Sequence, residues 1–90
     1  MPQISKAKRQ KISEQILYYL FTIHPQSNFT NRIAEELIRD EEFTKSLLEE
    51  LEKAKLVVKI TKSPKGEQYS RRQRWRLSQS AFEAYKKHQS

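Results

Sequence analysis

The chain has 90 residues, 32% charged and 36% hydrophobic, and a formal net charge of +7; this suits one small domain with one core, polar but not unstructured. The absence of cysteine excludes a disulfide framework and any thiolate metal site. The longest apolar run, Ile16 to Phe21, is far too short to span a bilayer, and no secretory leader opens the sequence, so a cytoplasmic protein is expected, with no membrane partner.

Residues 1–11 hold Lys6, Lys8, Arg9 and Lys11 with few apolar anchors. They read either as a solvated helix start or as a basic arm that touches phosphate. From Ile12 a helix is clear: Ile12, Ile16, Tyr19, Leu20 and Ile23 share a face, widened by Leu17 and Phe21. His24-Pro25 ends it, since a residue before proline avoids the helical region. Gln26 to Phe29 read as a loop. Thr30 or Asn31 then caps a second helix whose apolar side is Ile33, Ala34, Leu37 and Ile38. It stops near Asp40-Glu41, and a third helix follows at once, from Glu42 to Ala54. Its stripe of Phe43, Leu47, Leu51 and Ala54 is expected to face the core. Two helices joined by so short a turn form a helix-turn-helix, and Glu41 and Glu42 suit the positive end of the third helix.

At Leu56 the pattern changes to Val57, Val58, Ile60 and Thr61, which fit a strand. Ser63-Pro64-Lys65-Gly66 has the proline and glycine positions of a type I turn. The returning strand, Arg71 to Leu77, alternates: Arg72, Arg74 and Arg76 point one way, Gln73, Trp75 and Leu77 the other. Ser78 or Ser80 opens a last helix, Ser80 with Glu83 fitting a capping box. Ala81, Phe82 and Tyr85 supply its apolar side before a polar tail. The whole is one domain, residues 1–90, with a hairpin over 56–77 and a C-terminal helix and tail over 78–90. The fold class is α+β, mostly α.

The charge is unevenly spread. Residues 1–27 carry four Lys/Arg against one Glu, residues 28–54 four against eight Asp/Glu, and residues 55–90 ten against two. The net values are +3, −4 and +8. A basic chain of this size most often meets nucleic acid. Lys59, Lys62, Lys65, Arg71, Arg72, Arg74 and Arg76 crowd one hairpin, beyond what is needed to keep a strand edge from aggregating. They can lie along phosphates and release counterions. Trp75, alternating with arginines, reads as core, with base stacking as the other role open to it. Tyr69 is divided between stacking and simple exposure. An enzyme is not expected. No nucleophile–base set or metal cluster is present, Gly66 is the only glycine, and His24 and His88 lie far apart. No cofactor is expected either.

The order helix, helix-turn-helix, hairpin, helix resembles the winged-helix superfamily, and most closely the small prokaryotic regulators of the MarR and PadR groups. Phe29 to Leu37, Leu47 through Val57, and Trp75-Arg76-Leu77-Ser78 carry the resemblance. It implies a three-helix core, a hairpin wing over 56–77, and a third helix that reads DNA through Thr44, Lys45 and Ser46. It also implies a glycine just after that helix, where Lys55 stands; lysine pays a steric cost in the left-handed conformation, so a differently built cap is expected. The remaining exposed side of the third helix offers Glu49, Glu50 and Glu52, which phosphate repels.

The expectation is a DNA-binding winged-helix protein, a transcriptional regulator on double-stranded DNA, with phosphate contacts led by the wing and by Lys6, Lys8, Arg9 and Lys11. The alternative is an interaction or RNA/DNA-contacting module of a larger transcription, replication or RNA-handling assembly, docking a protein partner on its acidic helix-turn-helix face. A homodimer is expected as well. Tyr18, Tyr19, Phe21, Phe82 and Tyr85 exceed what one small core needs, and regulators of this kind often pair through their terminal helices.

Overall fold

A computed structural model describes residues 6–60 and 73–89. Helix α1 (Lys6–Ile23) is followed by strand β1 (Asn28–Phe29), α2 (Thr30–Leu37), α3 (Glu41–Lys53), β2 (Val57–Ile60), β3 (Arg74–Leu77) and α4 (Gln79–Gln89). Residues 6–11 form the first turns of α1. The turn expected at Ser63–Gly66 lies outside the described residues, as do Thr61, Arg71 and Arg72.

The core is built where the periodicities meet. Ile12, Ile16, Leu17 and Leu20 of α1, Ile33 of α2 and Leu47, Leu48 and Leu51 of α3 are buried together with Val57, Trp75, Leu77 and Ala81. Each large aliphatic side chain so buried contributes about 1.5–3 kcal/mol. The α3 stripe is turned from its expected position. Thr44, Leu47, Leu48 and Leu51 face inward, while Ala54 is exposed and Phe43 only half-buried. The i, i+3, i+4, i+7 set takes in two adjacent leucines. Thr44 can join it because its hydroxyl donates to the Asp40 carbonyl at 2.8 Å and brings no unpaired polar group inside.

The helix ends explain the tight connections. Asp40 caps α3, its carboxylate accepting from the Phe43 amide at 3.0 Å. α2 stops at Ile38, which is left-handed at φ 53°; the Ile38 amide bonds to the Glu35 carbonyl and the Arg39 amide to that of Ala34. Ile38 therefore leaves the apolar face expected of it and is exposed. α3 ends in the same way. Lys55 takes φ 64°, its amide reaching Glu52 and the Leu56 amide reaching Leu51. The cap is thus the Schellman arrangement that glycine normally serves, with lysine paying the steric cost. Ser78 caps α4, its hydroxyl accepting from the Ala81 amide at 3.2 Å, which decides between the two serines.

Among the described residues the sheet has three strands in the order β1-β3-β2, because Asn28–Phe29, expected as loop, pairs antiparallel with β3. Phe21 stacks on Phe82 (5.3 Å between ring centres) and on Tyr85 (5.7 Å), and Phe82 on His24 (4.1 Å). The Tyr19 hydroxyl accepts from the Asn28 amide group at 2.8 Å. Four of the five aromatics expected to be surplus therefore find partners within the chain, and Tyr18 is left 55% exposed. Burial, and secondarily the Glu14 carboxylate, push the Tyr85 phenol above its ordinary value.

Candidate nucleic-acid interface

The described part of the hairpin sorts its cations onto two faces. Val58 lies opposite Arg76 and Ile60 opposite Arg74, while Lys59 lies opposite Trp75 and Val57 opposite Leu77. Directly opposed residues share a face. Lys59 is therefore on the side of the buried Trp75 and Leu77, its ammonium 5.9 Å from the Trp75 ring centre, and does not join Arg74 and Arg76 in one row. The core role expected of Trp75 holds: it is fully buried.

Arg74 is placed by the strand that sequence reasoning missed. Phe29 of β1 lies opposite it, and the guanidinium carbon sits 4.7 Å from the Phe29 ring centre, in range of a cation–π contact. Its Nε is buried without a hydrogen-bond partner. Arg76 donates to the Leu77 carbonyl at 3.3 Å, and both side chains stay partly exposed. Lys62, Lys65, Tyr69, Arg71 and Arg72 lie outside the described residues.

At the start of α1, Lys6, Lys8 and Lys11 are exposed. Arg9 is engaged. It forms an ion pair with Glu50, and its guanidinium carbon lies 5.5 Å from the Phe43 ring centre. Two helices far apart in sequence are thus tied through charge, and one carboxylate on the exposed side of α3 is neutralised. No local spacing could have disclosed that pair.

Along α3, Thr44 has no exposed surface and cannot enter a groove; its place in the core corrects that expectation. Lys45 is half-buried and Ser46 exposed. Glu41, Glu42 and Glu49 are exposed around them. The usable polar surface of α3 is therefore narrow and mixed in sign. Among the described residues, no group of His, Asp and Glu is arranged to hold a metal ion, and no helix is long and apolar enough to cross a membrane.

No protein-family profile matches the chain, and no curated protein matches it by sequence. Solved structures do. A point variant of MepR from a multidrug-resistant S. aureus clinical isolate superimposes with a TM-score of 0.70 at 24% identity, over 89% of this chain and 55% of that one. The fold is a winged helix. MepR of S. aureus in complex with DNA gives 0.69 at 20% identity, over 92% of this chain and 68% of that one. ZitR of Lactococcus lactis, a zinc-responsive MarR family member, gives 0.64 at 19%, over 98% and 53%. The winged helix here thus spans little more than half of the first of these chains. Its helix-turn-helix is α2 and α3, and its wing leaves through β2 and returns through β3.

Proposed function

We propose that the protein is a DNA-binding winged-helix regulator whose affinity comes chiefly from the wing. The observation that carries this is the charge of the hairpin half of the chain. Residues 55–90 hold ten Lys/Arg against two Glu, on a fold shared with a regulator crystallised on DNA. Arg74 and Arg76 lie on the β3 face turned away from the core, at the root of the wing. Lys6, Lys8 and Lys11 add positive charge at the start of α1. Lys45 and Ser46 are the α3 residues offered to base edges, and the glutamates around them limit how closely α3 approaches phosphate.

Pairing of two copies through the terminal helices loses most of its support, since of the five aromatics Tyr18 alone is left exposed; light scattering at tens of micromolar is expected to give a monomer. The DNA reading is tested by fluorescence anisotropy of a labelled duplex titrated with the full chain at a series of salt concentrations. Binding at low salt that weakens steeply as salt rises is expected. No binding at low salt would overturn it.

A further inference from the structure

Ile38 occupies a position that its side chain makes costly. It is β-branched, left-handed at φ 53° and 89% exposed. Glycine or asparagine would hold the same turn without the clash. Burial does not explain the isoleucine, so the exposed side chain itself is what the position offers.

The surroundings show what it could meet. On one side an open groove of about 670 Å³ runs between α1 and the end of α2, with Tyr18 and Leu37 beside Ile38 and with Glu14, Glu36 and Lys11 at its edges. On the other, a groove of about 620 Å³ adjoins the turn, edged by Glu35, Glu41 and Arg39. Four carboxylates thus ring an apolar centre, Glu35 already paired with Arg32 at 3.7 Å and Glu14, Glu36 and Glu41 facing Lys11 and Arg39, in a chain whose net charge is +7. The local sign is the reverse of the whole and repels phosphate.

We propose that this face docks a basic amphipathic segment of another protein, its apolar side over Ile38, Tyr18 and Leu37 and its lysines or arginines toward Glu14, Glu36 and Glu41. A second copy of this chain fits less well. Two such faces meeting about a two-fold axis would oppose their own carboxylates. Insertion of a second copy's basic segment would be a heterologous contact, which closes into a ring or grows into a filament and does not give a simple dimer. The proposal stands apart from DNA binding, since Lys11 alone among these side chains is offered there to phosphate.

The test uses the full chain and a synthetic peptide with leucine on one helical face and lysine on the other, followed by amide chemical shifts. A control peptide carries glutamate in place of lysine. Shifts centred on Tyr18, Leu37 and Ile38 are expected, with affinity falling about tenfold or more in Ile38→Gly and again in Glu36→Lys. The melting temperature of Ile38→Gly should not fall, which separates lost docking from lost folding. The proposal is overturned by any of four results: no binding of the lysine peptide; equal binding of the glutamate peptide; unchanged affinity in Ile38→Gly; or shifts confined to the exposed face of α3. A concentration-dependent dimer that disappears in Ile38→Gly would also overturn it, in favour of a second copy on this face.

Discussion

The indole N–H of Trp75 donates to the Thr30 hydroxyl at 2.8 Å, joining the middle of β3 to the first residue of α2. Thr30 completes the link through its own amide, 3.2 Å from the Gln73 carbonyl. The root of the wing and the entrance of the helix-turn-helix are thereby held in one frame. Trp75→Ala should cost about 3–5 kcal/mol, in the range of large-to-small core changes. Thr30→Val should cost about 1–3 kcal/mol by leaving the indole N–H unpaired. Urea unfolding measures both. A Trp75→Ala protein that keeps its stability but loses nucleic-acid binding would make Trp75 a stacking residue instead.

The Arg9–Glu50 pair is partly exposed at both ends, so breaking it should change stability by no more than about 1 kcal/mol. Its effect on binding should be larger. Glu50→Gln removes a negative charge from the exposed side of α3 and releases Arg9 toward phosphate, so duplex affinity at low salt should rise several-fold. An unchanged or lower affinity would show that α3 stays clear of the duplex.

Lys55 carries a steric cost of about 1–2 kcal/mol in its left-handed conformation. Lys55→Gly relieves it but gains freedom in the unfolded chain, which offsets part of the benefit. The net expectation is a gain of about 1 kcal/mol, read as a higher melting temperature. A loss would mean that the lysine side chain contributes a contact worth more than the clash.

Tyr85 gives an alkaline signature. Its folded value is raised, first by burial and then by Glu14, so above the ordinary tyrosine range the native state holds a proton that the unfolded chain releases. Stability from this group is complete below about pH 10, the unfolded value, and is lost as pH rises through the folded one. Tyr85→Phe should therefore decline less steeply than the parent above about pH 10. Parallel curves would remove Tyr85 from the account.

Much of this was legible from local pattern. Ile12, Ile16 and Leu20 follow the helical period, and Arg74-Trp75-Arg76-Leu77 alternates as a strand with one buried face. What failed depends on pairings and turns that periodicity does not encode. A two-residue strand, Asn28–Phe29, is too short to alternate, so the seat it gives Arg74 was hidden. Lys59 belongs with the arginines by sequence, whereas its face follows from its pairing with Trp75, which spacing alone does not fix. Ile38 fits the apolar side of α2 by spacing, yet the chain turns left-handed there and carries it outward. Thr44 stands near the start of the helix that the resemblance makes the DNA reader, yet the carbonyl of Asp40 one turn earlier satisfies its hydroxyl and lets it turn inward.

The central claim is that the wing leads DNA binding and α3 follows. The salt dependence of affinity for a random-sequence duplex tests it most directly, comparing the parent with an Arg71→Ala, Arg72→Ala, Arg74→Ala variant and with a Lys45→Ala, Ser46→Ala variant whose melts show them folded. Each neutralised phosphate adds about 0.9 to the slope of log affinity against log salt. The arginine variant should bind all sequences more weakly with a slope lower by about 2–3, and the α3 variant should lose less on random DNA. Near-parental binding by the arginine variant, with a general loss in the α3 variant, would contradict the account.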